Sequence, residues 1–92
     1  MHITLVKKIL SDGSPCRKCI EVEERLQASG YWERIDSVLH ADERDPQSEG
    51  WRLANHHGVD KAPFFVVRHP DGQESVYTVF FKFLNQVLKT AA

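Results

Sequence analysis

The stretch "DGSPCRKCIEVEERL", residues 12–26, holds both cysteines of the chain, Cys16 and Cys19, with Arg17 and Lys18 between them. It begins as a turn and continues as an amphipathic helix. Ser14 is placed to cap that helix, and Pro15 suits its first position, where a missing N–H costs nothing. Cys19, Val22 and Leu26 recur at spacings of three and four, with Ile20 beside them, and predict a buried stripe. Glu21, Glu23, Glu24 and Arg25 fall on the wet side. Gly30 is the expected stop.

Upstream, "HITLVKKI" (residues 2–9) is rich in β-branched and apolar side chains and predicts a strand. Lys7 and Lys8 fit it as an exposed end, or mark an earlier stop. Downstream, a second strand is expected around residues 35–39. A polar loop "ERDPQSEG" leads to a short helix over residues 48–57, which contains Gly50 and ends at Gly58. His56 and His57, adjacent at its end, are expected at the surface and pointing in different directions. "APFFVVRH" (62–69) is the third strand and "HPDG" (69–72) a tight turn. "QESVYTVF" (73–80) returns as an antiparallel strand. "FKFLNQVLK" (81–89) is a final helix, with Phe80, Phe83, Leu84, Val87 and Leu88 on its apolar face. The order is β-α-β-α-β-β-α. Crossovers through the first two helices favour parallel pairing in the front half, and the turn favours an antiparallel hairpin in the back half. The expected fold is α/β: a four-stranded mixed sheet flanked by helices.

The totals agree with one domain over residues 1–92. Hydrophobic residues make up 41% and charged residues 27%, enough for one modest core. A formal net charge of -1 argues against binding nucleic acid by general electrostatics. No block of like charge suggests a membrane-surface patch, and no apolar run is long enough to cross a bilayer. The lysines of "MHITLVKKIL" follow the apolar run instead of preceding it, so a secretory signal is not expected and the cytoplasm is the expected location. There a close cysteine pair is more often redox-active or metal-binding than a permanent staple.

Cys16 in the first turn of a helix sits near unpaired N–H groups and the positive end of the dipole. A thiolate is stabilised there. Arg17 and Lys18 add positive charge and are the candidate pKa-tuning residues. Cys19, three residues on, lies one turn deeper on the same side. Cys16 is therefore the candidate nucleophile and Cys19 the resolving thiol of a dithiol exchange. Two alternatives stand beside this: a fold that has kept its thiols without their chemistry, serving as an adaptor, and a metal site. Zinc would need two further ligands. No histidine pair has finger spacing, and no metal ligand or cofactor is assigned.

A C-x-x-C that follows a strand and opens a helix, together with "VDKAPFFVV" (59–67) before the third strand, resembles the thioredoxin-like superfamily. In size the chain is most similar to a glutaredoxin. The resemblance implies a thiol–disulfide oxidoreductase acting on protein disulfides or low-molecular-weight thiols. It implies a cis bond at Pro63, with Ala62 and Pro63 holding an extended substrate opposite the cysteines. It also implies glutathione as a co-substrate. Against that last point, the Gly-Gly pair that opens the last helix in glutaredoxins is replaced here by "TVFFKF" (78–83), and "RK" stands between the cysteines in place of the family's usual pairs.

Overall fold

The computed structural model describes residues 1–89; the last three residues of the expected 1–92 domain lie outside the described residues. Four strands form one mixed sheet in the order β2-β1-β3-β4. They are β1 (His2–Ile9), β2 (Ser37–Asp42), β3 (Phe64–Arg68) and β4 (Glu74–Tyr77). Three helices pack on it: α1 (Arg17–Ala28), α2 (Glu49–His57) and α3 (Phe80–Phe83). The last runs on without a break into a π-helical turn, Leu84–Leu88, closed by Lys89 N–H on the Leu84 carbonyl at 2.8 Å. Among the described residues, no helix is long and apolar enough to cross a membrane.

β1 is central. It pairs with β2 in parallel, from Thr4↔Ser37 to Ile9↔Asp42, and with β3 in antiparallel fashion, from His2↔Arg68 to Val6↔Phe64. The first crossover is thus parallel as expected, but the second is not. α2 runs back along β2, and the segment 58–63 climbs again before β3 begins. β3 therefore starts at the end of the sheet where β1 finishes, which carries Ala62 and Pro63 to that end.

The pleat of β1 sorts the core into two layers. Ile3 and Leu5 face α1 and α3, where they meet Val22, Leu26, Phe65, Phe83 and Val87. Val6 faces the other way, with Phe64, Val66, Ala41 and Ala54 of α2. Phe65 and Phe83 stack with centroids 3.8 Å apart and planes within 5°. α1 and α2 end alike. Gly30 and Gly58 take positive φ (80° and 66°), and the N–H of the following residue returns to the helix: Tyr31 to Leu26 O at 2.9 Å, Val59 to Ala54 O at 2.8 Å. This closure satisfies terminal carbonyls at a backbone angle that glycine adopts without strain.

Several expectations need correction. β2 begins at Ser37, later than residue 35, because residues 32–34 coil into a 3₁₀ turn. Asp36 then anchors the strand's start: its carboxylate accepts the Ile3 N–H at 2.7 Å, and its own N–H reaches the Ile3 carbonyl at 2.8 Å. Ile20 leaves the predicted stripe and is 41% exposed, while Cys19, Val22 and Leu26 are buried. Lys7 and Lys8 neither end the strand nor hang in solvent. Both are half-buried within β1, Lys7 paired with Glu23 at 2.6 Å and Lys8 with Glu43 at 3.9 Å. Gly50 is a contact residue: a Cβ there would overlap the backbone of His40 and Ala41, so its absence lets α2 lie directly on β2.

Candidate functional site

The helix carrying the cysteines opens two residues later than the sequence predicts. Ser14 does not cap it; its N–H turns back to Asp12 Oδ1 at 2.9 Å. Pro15 forms a bridge with Ile9, and the N–H of Cys16 donates to the Lys8 carbonyl at 3.0 Å. These bonds hold the chain extended through Cys16 (φ -66°, ψ 134°). Cys16 is thus the N-cap itself. Its carbonyl accepts the first helical bond, from Ile20 N–H at 3.1 Å.

That position puts the Cys16 sulfur where a Ser or Asp oxygen commonly sits, facing the unpaired N–H groups of the first turn. The Cys16 side chain closes no cap hydrogen bond on those groups, but their partial positive charge favours a thiolate beside them. Partial burial pushes the Cys16 thiol up. The N–H of Cys19, the Cys19 thiol, the N–H of Lys18 and the charge of Lys8 together outweigh it, leaving Cys16 below its ordinary value. Cys19 behaves in the opposite way. It is 2% exposed. Burial pushes its thiol up to about 11, helped by its hydrogen bond to Cys16 and by the Cys16 charge, and opposed by the Lys8 N–H and the Lys7 ammonium.

The predicted tuning residues divide. Lys18 acts through its backbone N–H. Arg17 points away, its side chain 93% exposed and 4.0 Å from Glu21. The charged side chain that acts on Cys16 is Lys8, which the sequence reading treats only as a strand residue. Its signal was there: a lysine in a central strand, one residue before that strand's end.

The Ala62–Pro63 bond is cis. Pro63 lines a groove of ≈ 240 Å³ together with Lys18, Val22, Phe65, Thr78 and Phe80. The fold thus brings Pro63 against the first turns of α1, although neither cysteine nor Ala62 lines this groove. Cys19 lines a larger cavity of ≈ 460 Å³ behind the helix, with Lys7, Lys8, Pro15, Ile20 and Glu23.

The arrangement holds one accessible thiol in a field that favours its anion, and one buried thiol in a field that keeps its proton, with a groove beside them. Compared with known proteins, the chain matches no protein-family model, no curated protein and no solved structure.

Proposed function

We propose that this chain is a thiol–disulfide oxidoreductase with a thioredoxin-like fold of glutaredoxin size. The observation that carries the reading is the placement of two thiols one helical turn apart, Cys16 half-buried at the N-cap of α1 and Cys19 fully buried on the Lys8 N–H at 3.3 Å, a geometry that holds Cys16 below and Cys19 above the ordinary thiol range. The Cys16 thiolate attacks one sulfur of a substrate disulfide. A mixed disulfide forms, and the other substrate sulfur leaves as a thiolate that takes a proton from water. Cys16 then carries no charge and offers no acceptor for the Cys19 proton, so two of the influences that keep Cys19 protonated disappear. Cys19 loses its proton to solvent and attacks the Cys16 sulfur, releasing the second substrate thiol. The substrate gains two electrons, and the chain is left with a Cys16–Cys19 disulfide.

Protein disulfides or low-molecular-weight thiols would lie along the groove at Pro63, with the Ala62 backbone as the partner for an extended chain. Thr78 and Phe80 stand in that groove, where a glutathione site would want backbone free of side chains. This favours other thiols over glutathione. The adaptor and thiol-bound metal alternatives gain nothing specific. The metal-ligating side chains that do converge among the described residues include neither cysteine.

The test is a redox titration of the full chain in thiol/disulfide buffers, quenched by alkylation and read by mass. A reversible two-thiol transition is expected between about -270 and -120 mV. Cys19→Ser should accumulate a mixed disulfide with a model substrate, and Cys16→Ser should form none. If Cys19→Ser turns over as fast as the parent, the dithiol mechanism is wrong.

A further inference from the structure

A second constellation of ligating side chains lies at the opposite end of the sheet. His56 and His57 do not diverge as the sequence predicts. Their rings meet edge to face, centroids 4.8 Å apart at 84°. Glu74, the first residue of β4, faces them, and one ligand atom from each of the three lies within 4.8 Å of the others. The register from Glu74 to Arg68 to His2 puts this cluster at the start of β1, whereas Cys16 follows its end.

The geometry inside the cluster suits a cation better than a hydrogen bond. His57 Nε2 is 3.2 Å from Glu74 Oε1. Yet that nitrogen is buried and has no hydrogen-bond partner among the described residues, an uncommon state for a buried polar atom. In a tetrahedral zinc site, metal–ligand distances of about 2.1 Å put neighbouring ligand atoms about 3.4 Å apart. The spacing of His57 and Glu74 fits that, and the exposed His56 ring needs only a modest swing to complete a third vertex. The outer environment is also right. Glu74 Oε2 lies 3.4 Å from Arg68 Nε, which leaves Oε1 as the ligating oxygen and orients the carboxylate. The Arg68 charge opposes a cation, but its side chain is 63% exposed and screened by solvent. The C-terminus of α2, where both histidines sit, favours positive charge.

We propose that His56, His57 and Glu74 bind zinc, or a similar divalent transition metal, through two imidazoles and one carboxylate, with a fourth position open to water. The ion would fasten the end of α2 to edge strand β4 and stabilise the fold by mass action. The site is independent of the thiol chemistry.

The test uses the full chain carrying Cys16→Ser and Cys19→Ser, so that thiols cannot compete. Equilibrium dialysis against Zn²⁺ alone should give one bound ion per chain. Co²⁺ should give visible d–d bands without thiolate charge transfer. His56→Ala, at an exposed position, and Glu74→Gln should each weaken Zn²⁺ binding by about tenfold or more, with circular dichroism unchanged. His57→Ala should do the same, and the other two variants decide the question if it fails to fold. If the thiol-free chain takes up no zinc, or if it binds zinc and neither His56→Ala nor Glu74→Gln weakens it, the proposal is overturned.

Discussion

The backbone N–H of Lys8 donates to Sγ of Cys19 over 3.3 Å. The carbonyl of the same residue accepts the N–H of Cys16 at 3.0 Å. One peptide unit on either side of Lys8 thus fixes both thiols to the end of the central strand. The strand, and not the helix alone, sets where the sulfurs stand.

The Cys19 N–H, the Cys19 thiol and the Lys18 N–H do most to lower Cys16, and the Lys8 charge adds to them. We predict that Lys8→Gln raises the Cys16 pKa and slows its alkylation near neutral pH by about two- to threefold at low salt, with a smaller effect at high salt. Arg17→Gln should leave the rate unchanged, because Arg17 faces solvent and Glu21. Iodoacetamide rates against pH in a Cys19→Ser background measure both. A larger effect from Arg17 would return the tuning role to the residues between the cysteines.

Burial holds the Cys19 thiol up at about 11. In the unfolded chain the thiol ionises near about 8.5. Between these values the folded state binds more protons than the unfolded state. The contribution is therefore whole below about pH 8.5 and lost as pH rises toward 11, a fall of about 2–3 kcal/mol. Urea unfolding of Cys16→Ser from pH 7 to 11, set against the double serine variant, isolates the part that burial supplies, without the part that the Cys16 charge and hydrogen bond add. Parallel pH slopes in the two would refute it.

Gly50→Ala should destabilise the chain even though alanine is the better helix former by about 1 kcal/mol. A methyl group there would overlap the backbone of His40 and Ala41, forcing α2 off β2. A net loss of about 1–3 kcal/mol is expected from overpacking of this kind. Denaturant melts measure it, and a gain in stability would show that the helix has room to move.

The last helix offers two phenylalanines two positions apart with opposite fates. Phe83→Ala, which removes a fully buried ring stacked on Phe65, should cost about 3–5 kcal/mol. Phe81→Ser, at a ring 70% exposed, should change stability by less than about 0.5 kcal/mol. Equal losses would mean that Phe81 packs against something.

Local pattern was enough for the sequence to determine the element order, the mixed sheet, the buried stripe of Cys19, Val22 and Leu26, and the hairpin at residues 69–72. Each of these rests on side-chain periodicity or turn chemistry within a few residues. The proximity of the thiols is likewise local, because three residues make one helical turn. What tertiary structure decided was everything set by long-range pairing. The bonds from Lys8 to Cys16 and Cys19 moved the helix start from Pro15 to Arg17 and made Cys16 the cap. The antiparallel placement of β3 brought Pro63 to the cysteine end. Packing of α2 against the sheet turned Gly50 from an apparent flaw into a requirement. The same packing set His57 of α2 against Glu74 of β4, 17 residues further along. No periodicity reports that meeting, because neighbours across a sheet or a helix–sheet contact are chosen by register and packing, and these exist only once the chain has folded.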